Sequence, residues 1–309
     1  MGCGIRRVSF SVGGALTCVT GLCVIVLVVS ALGAFGPADS IGAQPLTTSC
    51  LTKPDPSGSN GACPANSPSV AGYSMYEGSE YAVTSEGAVY DQEGQLAGMN
   101  GSHLVAPIVG VVGTSVVDNG PSYWLVAKDG GVFSFGGAPF YGSLGGRRLN
   151  APVVGMVSAN DGTGYWLVSS DGGVFSFGSA QFYGSTGGQH LNAPVVGMAA
   201  SPDGQGYWLV ASDGGVFSFG DATFYGSMGG QRLDAPVVGI ASTYAGYYLV
   251  GADGGLFTFG DALFTESGNG YTTSPVVGVS AVDVAVDPAS PPRWAAYIAT
   301  ASGDLLFLY

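Results

Sequence analysis

Charge is scarce in this 309-residue chain: only 9% of its residues are charged, and 8 lysines and arginines stand against 21 aspartates and glutamates. Nucleic-acid binding needs a basic surface, so the net charge of −13 argues against that function. The same balance argues against simple adsorption to anionic lipid. The shortage of charge does not indicate disorder, because aromatic residues reach 11%.

Histidine is also scarce, which limits acid–base and nucleophilic chemistry. Only His103 and His190 are present, and no G-x-S-x-G motif marks a nucleophile. Aspartates are more frequent, but no calcium-loop spacing occurs among them. We therefore predict no catalytic residue, no metal site and no cofactor.

Of the 5 cysteines, three lie within the first 23 residues. The remaining pair, Cys50 and Cys63, predicts a disulfide in an oxidising compartment. A redox or metal role is the alternative, but the spacing is neither CxxC nor a zinc pattern. Residues 37–68, which contain this pair, are rich in Pro, Gly and Ser and are predicted to be an extracytoplasmic linker.

The N-terminus predicts export. Arg6 and Arg7 precede an uncharged apolar run over residues 11–35. A basic start followed by such a run is a signal peptide or a membrane anchor, and the run is long enough to span a bilayer. Residues 1–36 are therefore a cleaved signal peptide or an uncleaved signal anchor, and the two alternatives stay open. In either case the rest of the chain is expected outside the cytoplasm.

Residues 69–309 contain an internal repeat, and the copies align on one tyrosine. "YWLVASDGGVFSFG" at 207–220 has near-identical copies before it and looser copies at both ends. The aligned tyrosines are Tyr81, Tyr123, Tyr165, Tyr207, Tyr247 and Tyr297. A period of about 42 residues is typical of one four-stranded propeller blade.

The sequence of each unit predicts four short strands. Residues 193–201 form a buried apolar run, 207–212 and 215–220 flank an Asp-Gly hairpin, and 223–230 give a short fourth strand. Both faces of "YWLV" are apolar, so both must be covered by neighbouring units. The predicted fold is all-β, a propeller of six four-stranded blades after a hydrophobic leader; an open β-solenoid is the alternative. We predict that residues 44–49 complete the last unit.

At these residues the sequence resembles a known group of repeats. "YWLVASDGGVFSFGDATFYGSMGG" (207–230) with "LNAPVVGMAA" (191–200) resembles the repeat arrays of secreted actinobacterial cell-surface proteins. "SPDGQGYWLV" (201–210) is similar to the turn and strand of bacterial surface propellers. The resemblance covers residues 69–309. It implies a propeller at the cell surface and carries no catalytic residues.

Two repeated columns suggest packing rather than chemistry. The hairpin aspartates suit the turn backbone, with a calcium-binding ring of carboxylates as the alternative. The tryptophans lie mid-strand, which favours burial between units over carbohydrate stacking. The members are Asp129, Asp171, Asp213 and Asp253, and Trp124, Trp166 and Trp208.

The links between units give the one candidate ligand site. Four cationic or imidazole side chains occupy the same position, four residues before the proline that opens each unit, and Tyr271 follows in the next unit. We predict that they form a basic collar for an anionic ligand, and pairing with nearby acid such as Asp234 is the alternative. The collar residues are His103, Arg148, His190 and Arg232.

These features together predict a non-catalytic binding or scaffold protein at the cell surface or cell wall. Its expected partner is an anionic wall polymer or a surface protein, with no nucleic acid and with membrane contact through the N-terminal segment if that segment is uncleaved. The alternative is a hydrolase or lyase acting on wall glycan or peptide at the mouth of the propeller channel. The pattern leaves the oligomeric state open.

Overall fold

Every element in the described part of the chain is a β-strand, which confirms the all-β prediction. The computed structural model describes residues 48–50, 69–76, 79–91, 94–99, 102–114, 121–159, 162–264, 267–268, 272, 274–283 and 294–308. These residues belong to one unit, Leu46–Asp55 with Ser59–Tyr309. The predicted leader and Cys63 lie outside them, so export and the disulfide stay predictions. Among the described residues, no helix could cross a bilayer.

The strands form six antiparallel sheets in chain order. Sheet 1 contains β2 (Val70–Tyr76), β3 (Ser79–Thr84), β4 (Val89–Asp91) and β5 (Gly94–Gln95). Sheet 2 contains β6 (Ile108–Gly113), β7 (Tyr123–Ala127) and β8 (Val132–Phe135), and sheet 3 contains β9 (Val153–Ser158), β10 (Gly164–Ser169) and β11 (Val174–Gly178). Sheet 4 contains β12 (Val195–Ala200), β13 (Gly206–Ala211) and β14 (Val216–Gly220), and sheet 5 contains β15 (Val237–Ser242), β16 (Gly246–Gly251) and β17 (Leu256–Gly260). Sheet 6 contains β18 (Val276–Asp283), β19 (Trp294–Thr300) and β20 (Asp304–Leu308), with β1 (Thr48–Cys50) at its edge.

The second strand of each sheet carries the aligned tyrosine and lies deepest in the core. All six residues of β13 are buried, because both faces of the strand are covered. Tyr207 pairs with Phe219 and Val210 with Val216, so the Asp-Gly turn joins two strands as predicted. Gly214 in this turn has φ +78°, a left-handed conformation that suits glycine.

The first strands of the six sheets approach one another closely. In each of them the pairing register shifts between the first and the third residue of the strand, and the third residue is a glycine. A Cβ on Gly72 would lie 2.9 Å from the Cα of Gly110 on the neighbouring first strand. Any larger residue there would push two sheets apart, so glycine permits the contact.

Backbone hydrogen bonds join the six sheets in a closed cycle. In each case the first residue of a first strand donates its N–H to a carbonyl in the hairpin turn of the preceding sheet. The donors and acceptors are Ile108 to Ser85, Val153 to Lys128, Val195 to Ser170, Val237 to Ser212, Val276 to Ala252 and Val70 to Ala301, at 2.9–3.1 Å. The last bond joins sheet 6 to sheet 1 and completes the cycle.

The prediction of four strands in each unit is wrong for sheets 2 to 5, which have three. Residues 223–230, where a fourth strand was predicted, contain no strand. Side chains take its place: in the equivalent segment of sheet 3, the Trp166 Nε1–H donates to the Gln181 carbonyl at 2.7 Å. The Tyr207 hydroxyl of sheet 4 donates to the Gly184 carbonyl at 2.6 Å and accepts from the Tyr183 N–H. The segment therefore ties its own sheet to the next one.

Sheet 6 receives its outer strand from the N-terminal side of the chain. Thr48 pairs with Leu306 and Cys50 with Asp304, antiparallel to β20. The prediction that residues 44–49 complete the last unit is thus confirmed for Thr48 and Ser49, with the strand extending to Cys50.

Two ends of the sheets can be distinguished from these bonds. We call the end with the turns between second and third strands the hairpin-turn face. The first strands also begin there, since the Lys128 N–H donates to the Pro107 carbonyl at 2.9 Å. We call the end where first and second strands are joined the opposite face.

Candidate functional site

The hairpin aspartates stabilise their own turns. The Asp129 Oδ1 accepts from the Gly131 N–H at 3.0 Å, and the other three aspartates make the same bond to the residue two positions on. This local bond explains why Asp recurs before Gly. No group of three or more His, Cys, Asp or Glu side chains that could hold a metal occurs in the described part of the chain.

The repeated tryptophans pack between sheets, as predicted. Trp124, Trp166 and Trp208 are at most 2% exposed. Each contacts the aligned tyrosine of the next sheet, with Trp166 and Tyr207 ring centroids 5.6 Å apart. Buried and hydrogen-bonded in this way, they offer no open ring face for a sugar.

The four predicted collar residues all lie on the hairpin-turn face, and each belongs to a different link. His103 precedes sheet 2, Arg148 sheet 3, His190 sheet 4 and Arg232 sheet 5, and all four side chains are exposed. Among the described residues none of them pairs with an acid, and this includes the Asp234 considered above. The structure does not bring the four into one cavity, so the collar stays a prediction.

The hairpin-turn face carries every lysine and arginine that the structure describes. Besides Arg148 and Arg232, these are Lys128, in the hairpin turn of sheet 2, and Arg147, in the following link. The cations are thus separated from the opposite face, where the described charges include Asp203, Asp221 and Asp261.

Three of these four cations lie close to the link between sheets 2 and 3. We call the cavity between this link and the hairpin turn of sheet 2 the Lys–Arg notch. It is a cavity of about 250 Å³ lined by Lys128 and Asp129 of the turn and by Arg147 and residues 149–152 of the link. Arg148 is adjacent and exposed. The link approaches the turn because the Val153 N–H donates to the Lys128 carbonyl at 2.9 Å.

Alignment of equivalent positions in the repeat identifies only Arg148 of this group. The other two cations could have been found because each differs from the residue at the same position in the following units. Lys128 stands where the next units have Ser170, Ser212 and Ala252, and Arg147 where they have Gln189 and Gln231.

On the other side of the same turn lies a second cavity, of about 290 Å³, that contains His103. Asp129 lines both cavities. Its Oδ1 is engaged by Gly131, as described above, but the carboxylate still lowers the local positive charge. The hairpin turn of sheet 2 therefore borders both the link that carries His103 and the link that carries Arg148.

A central cavity of about 410 Å³ is lined by the first strands of all six sheets. Its described lining is composed of apolar and hydroxyl side chains, among them Tyr73, Met156, Met198, Ser158 and Ser242. No charged or imidazole side chain occurs in that described lining. The Tyr73 hydroxyl has no hydrogen-bond partner among the described residues, and burial, with Glu80 nearby, raises its pKa.

On the opposite face, the lining of this cavity includes Ser201 and Pro202. Two carboxylates lie beside this point. The Ser201 hydroxyl donates to Asp203 Oδ1 at 2.7 Å and lowers the pKa of that carboxyl. Desolvation and the neighbouring Asp203 raise the pKa of Asp221. The two carboxyl pKa values are thus shifted in opposite directions, and no third His, Cys, Asp or Glu side chain joins the pair among the described residues.

Sequence reasoning also missed a set of exposed phenylalanines. They occupy equivalent positions in the segments that follow the third strands, and their side chains are between 55% and 61% exposed. The members are Phe140, Phe182, Phe224 and Phe264. An exposed aromatic side chain thus follows the third strand in each of four consecutive units.

Comparison with known proteins adds little. No family model matches the chain, and no curated protein is similar to it. Among solved structures, the crystal structure of the computationally designed Ika8 protein is similar, with a TM-score of 0.44 and 11% sequence identity over 78% of this chain and 70% of that one.

Proposed function

We propose that the chain is an extracytoplasmic β-propeller that binds an anionic polymer of the cell wall and has no catalysis of its own. In this proposal the six sheets are the blades. The closed cycle of hydrogen bonds, from Ile108–Ser85 round to Val70–Ala301, supports this architecture. The resemblance to secreted actinobacterial repeats and the apolar leader support the location.

One observation carries the binding function: all described lysines and arginines, with both histidines, lie exposed on the hairpin-turn face. In a chain with a net charge of −13, such sorting places the few cations where a polyanion could meet them together. Exposed guanidinium groups free of ion pairs in the described region can form charge-assisted hydrogen bonds with a ligand.

The test is retention on purified cell walls. Residues 44–309 would be mixed with walls over a salt series, and the supernatant assayed for released sugar or peptide. We expect retention that weakens with salt and no release. Arg148→Gln with Arg232→Gln should weaken retention, whereas Asp234→Asn, which removes a neighbouring negative charge, should not. Release that grows with time would instead establish the hydrolase or lyase alternative.

A second candidate function is binding to a surface protein, and the four exposed phenylalanines favour it. If walls retain nothing, Phe182→Ser and Phe224→Ser become the informative changes. Loss of a copurifying partner in these variants, but not in Arg148→Gln, would assign the function to this surface.

A further inference from the structure

We propose that the Lys–Arg notch is a discrete binding site for the phosphate groups of a polyanionic chain. This inference deepens the proposed function, because it places the anionic ligand at one link rather than around the whole collar. The links after sheets 2, 3 and 4 have the same backbone arrangement but carry different charges.

The shared backbone is seen in matching hydrogen bonds. After sheet 2, Val153 donates to Lys128 and the Arg147 N–H donates to the Leu144 carbonyl; after sheet 3, Val195 donates to Ser170 and Gln189 to Thr186, all at 2.9 Å. The two links therefore hold their side chains on equivalent frames. Only the first frame carries Lys128, Arg147 and Arg148, where the second carries Ser170, Gln189 and His190.

Charge selects the class of ligand. Lys128 and Arg147 line the notch against the single carboxylate of Asp129, and the adjacent Arg148 raises the local surplus to two positive charges. A terminal phosphate has a charge of about −1.5 to −2 at neutral pH, and a phosphate within a chain has a single negative charge, so one terminal phosphate or two successive in-chain phosphates match this surplus better than one carboxylate does. Guanidinium groups form paired hydrogen bonds with phosphate oxygens, and the lysine ammonium adds a point charge.

The surroundings favour a flexible chain over a flat membrane. The hairpin-turn face also carries the carboxylates of Asp171, Asp213 and Asp253, in the turns of the following sheets. A planar anionic bilayer pressed on this face would meet those carboxylates, and they would repel it. A polymer strand can reach the notch, about 250 Å³ in volume, without crossing the other turns.

The experiment uses the full chain in a non-ionic detergent and fluorescently labelled linear polyphosphate as the probe, read by anisotropy. If three contacts each contribute as for a single-stranded polyanion, affinity falls about 20-fold between 50 and 200 mM salt. The variant Lys128→Ser, Arg147→Gln, Arg148→His gives the notch the residues of the next link. We expect it to lose most of the affinity and most of the salt dependence.

A gain-of-site variant controls for folding damage. Ser170→Lys, Gln189→Arg, His190→Arg copies the notch to the link after sheet 3, and we expect the stoichiometry of polyphosphate binding to rise from one site to two. Inorganic phosphate should compete, and polygalacturonate, which offers only carboxylates, should bind more weakly.

Three results of the binding assays would overturn the proposal: unchanged affinity in the loss variant, no second site in the gain variant, or notch-dependent binding to phosphatidylglycerol vesicles with none to polyphosphate. Wall retention that survives the loss variant would refute the notch and leave the proposed function standing. Polyphosphate binding without wall retention would refute the proposed function and leave the notch standing.

Discussion

The interior of the repeat and the links between sheets differ in how far they vary from one unit to the next. Trp124, Trp166 and Trp208 recur unchanged, and each is buried against the next sheet. The links, by contrast, carry Arg147-Arg148, Gln189-His190 and Gln231-Arg232 at exposed positions. The positions that recur are those on which contact between sheets depends. The positions that vary make no contact on which the packing of the sheets depends. A substitution at such a position can therefore give one unit a binding site that its neighbours lack.

The largest effect should follow from opening the interior. Trp166 is 1% exposed, and its replacement by Ala removes the hydrogen bond to Gln181 and the contact with Tyr207. We expect Trp166→Ala to lower the free energy of unfolding by about 3–5 kcal/mol, measured by urea denaturation. The exposed link residue His190 is the control, and His190→Ala should change it by less than about 0.5 kcal/mol. Equal losses in both variants would remove the distinction between interior and link.

Two glycines 16 positions apart in sheet 3 sharpen the comparison. Gly172 in the hairpin turn has φ +75°, and a Cβ there would lie 1.7 Å from Thr186 Oγ1. Gly188 at the start of the link has φ +83°, with nothing within 4 Å of such a Cβ. Both substitutions to Ala incur the left-handed cost of about 1–2 kcal/mol.

Gly172→Ala should lose about 1–3 kcal/mol more, because the buried Thr186 must move. Thermal and urea denaturation of the pair measure this difference directly. A smaller loss at Gly172 than at Gly188 would mean that the turn is not packed against the segment that follows β11.

The same contrast explains how much of the fold could be read from the sequence. Alternation and the Asp-Gly turns identify the first three strands of each unit, since those signals are local. Sheets 2 to 5 lack the predicted fourth strand. In sheet 3 the backbone of residues 181–188, where that strand would lie, is instead bonded by the side chains of Trp166 and Tyr207. Tyr207 belongs to another unit, and a local pattern contains no sign of it. Gly184, with φ +136° and Phe219 where a Cβ would lie, further departs from a regular strand.

The candidate site was only partly predictable for a related reason. Aligning equivalent positions finds Arg148, because it belongs to a column of cationic residues. It overlooks Lys128, which lies 20 positions earlier, in the hairpin turn, and is joined to the link by the bond from the Val153 N–H to its carbonyl. A residue that departs from its repeat column is thus a better indication of a single site than one that follows the column.

Alkaline pH should weaken the interior selectively. Burial, with Tyr81 and Asp91 nearby, raises the pKa of Tyr123 from 10.0 to about 12. The folded state therefore holds this proton more tightly than the unfolded state. Its contribution to stability is complete below pH 10 and is lost as the pH rises from 10 towards 12.

Melting temperatures between pH 8 and 11 should fall above pH 10, and Tyr123→Phe should make that fall shallower. Tyr165, Tyr207 and Tyr247 also have raised pKa values through burial, so the fall should not vanish in the single variant. A variant profile identical to that of the parent would assign the alkaline loss to other groups.

The smallest effect is expected where the links are exchanged. Arg147→Gln with Arg148→His gives the link after sheet 2 the two residues found after sheet 3, on the same backbone frame. Both arginines are exposed and have no ion-pair partner among the described residues, so the free energy of unfolding should change by less than about 0.5 kcal/mol. Urea denaturation at low and high salt measures it. A larger loss that disappears at high salt would show that these arginines stabilise the fold through charge, and the link would then no longer contrast with the interior. An unchanged value means that the two cations contribute nothing to stability, which the proposed contact with a ligand requires of exposed side chains.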